Sequence, residues 1–78
     1  MFNIRHFISD TSFQMIYLNN YLDVVNYKDI ISMDLNKIIL ELDNRKLIMT
    51  GKDLTIKKLL ENEMVIDGEI ITMEFINE

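Results

Sequence analysis

Residues 37–75 read KIILELDNRKLIMTGKDLTIKKLLENEMVIDGEIITMEF, and the reading of this stretch decides the fold. From Lys37 to Leu42 the chain alternates with period two: Ile38, Leu40 and Leu42 point one way, and Lys37, Ile39 and Glu41 the other. Successive side chains of a strand leave opposite faces, so this spacing predicts a strand. Asp43-Asn44 follows, two residue types that tolerate the positive φ of a tight hairpin turn. Lys46 to Thr50 resumes the alternation, with Leu47 and Met49 on one face. The pattern predicts a β-hairpin over residues 37–50 that turns at Asn44 and sends Leu40 and Leu47 into the core. A helical stripe fails here, because it would scatter Ile38 and Ile48.

Gly51-Lys52-Asp53 reads as the next turn, with Gly51 supplying a φ that other residues adopt only at a cost. Leu54 to Lys57 alternates again, with Leu54 and Ile56 inward. Residues 57–63 either continue as a strand into a turn near Glu61-Asn62 or form a short helical turn; the first reading is preferred. Met64 to Asp67 opens the last strand, with Ile66 inward, and Gly68 inside it marks a bulge or a close backbone approach. Met64, Ile66, Gly68 and Ile70 share one face, whereas Ile71, Met73 and Phe75 share the other. A bulge near residues 68–71 would return all of them, Phe75 included, to the core, since one extra residue flips those that follow.

Upstream, Phe13 to Leu18 is expected to be a strand, Asn19-Asn20 a turn, and Tyr21 to Val25 a strand pairing back. A second turn at residues 26–29, a short strand from Ile30 to Met33 and the linker Asp34-Leu35-Asn36 lead into the hairpin. Residues 1–12 are the least readable: Phe2, Ile4, Phe7 and Ile8 admit a helical turn or a ragged strand. They are expected to be an N-terminal arm or flap, ahead of one all-β domain over residues 13–78. Regular short strands without a helical period predict a compact all-β domain of about seven short, mostly antiparallel strands, a sandwich or roll. A β-solenoid-like stack is the alternative, weakened by the lack of a strict repeat.

A chain of 78 residues allows one domain. It has no cysteine, hence no disulfide and no thiolate zinc site to reinforce a small core. Half of its residues are apolar, which favours self-association to cover leftover surface. The net charge of −5 disfavours non-specific nucleic-acid binding. No apolar run approaches the roughly 20 residues of a membrane span, and residues 1–8 are too short and polar for a signal peptide. A cytoplasmic chain is expected.

No constellation of residues points to catalysis or to a cofactor or metal. His6 is the only histidine, and a metal site needs further nitrogen, sulfur or carboxylate ligands. Ser9, Ser12 and Ser32 lack an evident base. Glu61, Glu63, Asp67 and Glu69 alternate with apolar residues, as a solvated strand face does. Gly51 and Gly68 are isolated, without phosphate-loop spacing. Tyr17, Tyr21 and Tyr27 offer aromatic surface, but the acidic balance counts against base stacking.

Three segments in order carry a resemblance. Asn26-Tyr27-Lys28-Asp29-Ile30-Ile31, then residues 47–57 (LIMTGKDLTIK), then residues 67–75 (DGEIITMEF), resemble the YabP/YqfC family of small sporulation proteins from endospore-forming Firmicutes. The ordered match covers residues 13–76, and the Asn-Tyr-Lys turn makes the YqfC branch look closer. Asp29 stands where the family usually has glycine, and the segment before Phe13 looks shorter than in many relatives. The resemblance implies a non-enzymatic structural or adaptor protein acting in spore envelope or cortex formation. It also implies a setting in the mother-cell cytoplasm, peripheral to the membrane through a membrane-associated sporulation partner. It supplies no catalytic residues. A small-ligand or cell-wall-precursor binding domain is the alternative, resting on the three tyrosines.

Overall fold

In the computed structural model, which describes residues 13–78, six strands run in chain order: β1 (Gln14–Leu18), β2 (Tyr21–Val25), β3 (Asp29–Met33), β4 (Lys37–Glu41), β5 (Arg45–Leu59) and β6 (Glu63–Asn77). The arm expected over residues 1–12, with His6, Ser9 and Ser12, lies outside the described residues. The strands form one sheet of order β1-β2-β6-β5-β4-β3, every neighbour antiparallel. This is the expected all-β class, and antiparallel pairing throughout excludes the solenoid alternative.

The turns follow from residues that accept positive φ. Asn19 (φ 48°) and Asn20 (φ 70°) join β1 to β2, and Asn44 (φ 63°) turns β4 into β5. Two central residues with φ > 0 make a two-residue turn whose twist matches that of paired strands. Asn26 (φ 66°) makes the break after β2. Asp29, where glycine was the family expectation, has no positive φ and simply opens β3.

Long β5 and β6 are the spine. β2 pairs only with Glu63–Asp67 of β6, and β4 only with Lys46–Thr50 of β5. The spine therefore carries β2-β1 at one end and β4-β3 at the other. Leu22, Val24, Ile38, Leu40, Leu47, Met49, Met64 and Ile66 are each at most 1% exposed and belong to one cluster with Tyr27, Leu42 and Leu54. A face of a single flat sheet cannot be that dry. No helix among the described residues covers it, so the sheet doubles over and its two ends cover each other. Full burial of such aliphatic side chains is worth about 1.5–3 kcal/mol each.

The fold line is a set of three bulges in the spine. Ile71 is extra between the pairs Thr50–Thr72 and Gly51–Ile70; Asp53 and Leu54 together oppose Gly68; and Lys57 is extra between Ile56–Ile66 and Lys58–Val65. Each extra residue bends its strand and increases the local twist. The linker between β3 and β4 plugs the fold line: Gly51 N–H donates to the Asn36 carbonyl and Leu54 N–H to the Leu35 carbonyl, both at 2.9 Å. Amides displaced from the ladder are thus satisfied.

Three expectations need correction. Residues 51–53 are not a turn but a bulged passage inside β5, which is why there are six strands rather than about seven. Gly51 does not have positive φ; it is glycine because a Cβ there would stand 2.0 Å from the Glu69 carbonyl oxygen. Phe75 and Met73 stand opposite Leu47 and Met49, hence on the core face, yet Phe75 remains 40% exposed. Beyond Gly68 the far side of β6 has no strand partner among the described residues; the Phe13 ring (6.4 Å, edge-on) and the Arg45 guanidinium (4.3 Å) lie against Phe75. Ile71 is itself a bulge residue and stays exposed.

Candidate functional site: the open edge at β1

The residues with chemical potential are scattered. Tyr17 lies opposite Leu22 on the core-facing side of β1, Tyr21 opposite Asp67 on the outer face, and Tyr27 is buried with its hydroxyl donating to the Leu60 carbonyl at 3.2 Å. The three tyrosines form no common surface, which removes the support for the ligand-binding alternative. Ser32 sits on β3 opposite Ile39. Asp67 accepts a bond from Gly68 N–H at 2.8 Å, and among the described residues no three His, Cys, Asp or Glu gather as a metal site would require. Asn44 is a turn residue; Gly51 and Gly68 are at the fold line; Leu40, Leu47 and Ile66 are buried; Ile56 is partly buried against them.

What the fold does present is open backbone. Four segments have one side without a strand partner among the described residues: β1, β3, the part of β5 beyond Leu54 and the second half of β6. Exposed strand edges invite pairing with another chain, and charges, prolines or bulges normally guard them. Lys57 and Lys58, with a bulge at Lys57, guard β5; Glu74 interrupts β6; Asp29 and a register shift at Ile31 guard β3. β1 carries none of these. Its sequence is Gln-Met-Ile-Tyr-Leu and its register with β2 is unbroken over all five residues. Ile16, Tyr17 and Leu18 are 42%, 53% and 64% exposed.

The two-residue turn also sets which groups of β1 face outward. With Leu18 and Tyr21 closing the turn as a hydrogen-bonded pair, alternate residues Leu18, Ile16 and Gln14 bond to β2. Tyr17 and Met15 then direct N–H and C=O to the open side.

Below this edge lies a polar spot. Asp23 stands opposite Ile16, and its buried Oδ1 has no hydrogen-bond partner. The carboxyl of Glu63 beside it is raised above its ordinary pKa, first by a hydrogen bond to Asp23, then by the charge of Asp23 and by burial, with Lys58 opposing.

Sequence reasoning did not single out β1 as the edge. The signal available to it was the complete lack of charge between Ser12 and Tyr21 in a chain with 27% charged residues.

Among the described residues no helix is long and apolar enough to cross a membrane. No curated protein and no solved structure matches the chain. The family model of the YabP family matches residues 12–78.

Proposed function

The chain belongs to the YabP family, and from that premise we propose that it is a non-enzymatic structural or adaptor module of sporulation that works through protein–protein contacts. Family membership suggests the sporulation-related role. The observation that carries the contact-making reading is the β1 edge, which is unguarded among the described residues, uncharged, unbulged and exposed. Strand addition at such an edge gives affinity through main-chain hydrogen bonds and leaves specificity to alternating side chains. In this reading the protein acts in the mother-cell cytoplasm during envelope or cortex formation. It meets a membrane-associated sporulation protein and is held at the membrane by it, with no cofactor of its own.

Deleting the gene in its sporulating host and counting heat-resistant spores tests the role. The expected result is a fall in heat-resistant spores that the intact gene restores and a Leu18→Glu allele, made at normal protein level, does not. Undiminished spore counts after deletion overturn the sporulation role; full rescue by Leu18→Glu overturns the edge as its working surface.

A further inference from the structure

We propose that β1 pairs with β1 of a second copy of this chain, antiparallel about a two-fold axis at Ile16. The inference rests on the contact-making reading above and names its occupant.

Three observations carry it. The first is backbone register. Met15 and Tyr17 are the residues whose N–H and C=O face outward, and they are equidistant from Ile16. With the axis at Ile16, Met15 of one copy meets Tyr17 of the other and exchanges two hydrogen bonds, and the symmetric pair exchanges two more. Ile16 then meets its own mate as a non-hydrogen-bonded pair, the closely spaced kind. The second is charge. Two copies each carrying −5 repel wherever acidic surface is apposed, but the pairs created here, Gln14 with Leu18, Met15 with Tyr17 and Ile16 with Ile16, are all uncharged. A partner of complementary charge would find nothing to pair with on this strand, whereas a second copy matches it by symmetry. The third is the comparison with the other edges. The register shift at Ile31 breaks the same pairing at β3, and Glu74 lies within the open half of β6.

A two-fold contact is closed, so assembly stops at two chains. Five residues of edge make an interface at the small end, and the expected Kd is about 1–100 µM.

Light scattering of the full chain from about 1 µM to about 1 mM brackets that range. The mass is expected to rise from one chain to two and to level off. Ile16→Lys sets two ammonium groups against each other at the axis and should keep the chain monomeric throughout. Within one copy the new lysine faces Asp23, whose Oδ1 lacks a partner, so the fold is retained, as circular dichroism should show. Tyr17→Pro deletes an outward N–H without touching the ladder to β2, and should also abolish the dimer. A monomer at every concentration, growth beyond two chains, or an Ile16→Lys protein that dimerises like the parent overturns the proposal. A monomeric chain whose deletion still lowers heat-resistant spores would sink this pairing alone; a dimer whose deletion leaves spores intact would sink only the sporulation role.

Discussion

Gly51 and Gly68 carry the fold line, each for a different reason. Gly51 has ordinary φ but no room, and Gly68 has φ 120° and would bring a Cβ to 2.5 Å from the Asp53 carbonyl oxygen. In both cases the obstacle is backbone, which cannot swing aside as a side chain can. Gly51→Ala and Gly68→Ala should therefore each cost about 3 kcal/mol or more in urea unfolding, and a loss below about 1 kcal/mol would contradict the close approach. Glu63 supplies a pH prediction. Its pKa in the folded chain is raised by Asp23, so the folded state binds that proton more tightly than the unfolded state. The stability this contributes is present at low pH and declines as pH rises through the folded value. Glu63→Gln, which offers Asp23 a permanent amide donor, should be more stable than the parent at neutral pH and should flatten that decline. Urea midpoints across a pH series check it; a Gln variant that is less stable at pH 7 would refute the arrangement.

At the level of strands, what could be read from the sequence was what is local. The β4–β5 hairpin announces itself in the alternation of Ile38, Leu40, Leu47 and Met49 around Asn44, and the first hairpin in Asn19-Asn20. Gly51-Lys52-Asp53 misleads because a bulge and a turn ask for similar residues. The atom that decides between them, the carbonyl of Glu69, arrives from another strand. The phase change in β6 does signal a bulge, but whether Phe75 is then covered depends on how far β2 extends along β6, which no local pattern encodes. The β1 edge was hidden for the same reason: strand order is a long-range property. Burial grades the core accordingly. Leu40→Asp places an unpaired charge at a site with no exposure and should leave the chain unfolded in the absence of denaturant. Ile56→Asp, at a partly buried site beside a bulge, should weaken the fold less, and Lys37→Glu should leave it intact. Circular dichroism and thermal melts distinguish the three; a folded Leu40→Asp protein would refute the assignment of faces.

The molecule as a whole is a sheet folded on itself, which solves one problem and leaves another. Doubling over buries an aliphatic cluster without disulfide or helix among the described residues. It also leaves strand edges that need guards, and among the described residues β1 alone has none. Among the described residues of this acidic chain, β1 is the neutral, regular edge where the backbone can be extended without opposing like charges. That ties the physical account to the proposed role, and spore formation reads it directly. The deciding measurement is the heat-resistant spore count of strains carrying Ile16→Lys or, as a control at the guarded edge, Ile31→Lys, each at normal protein level. The account predicts that Ile16→Lys falls to the level of the deletion strain while Ile31→Lys sporulates like the parent. Parental spore counts from the Ile16→Lys strain would contradict it.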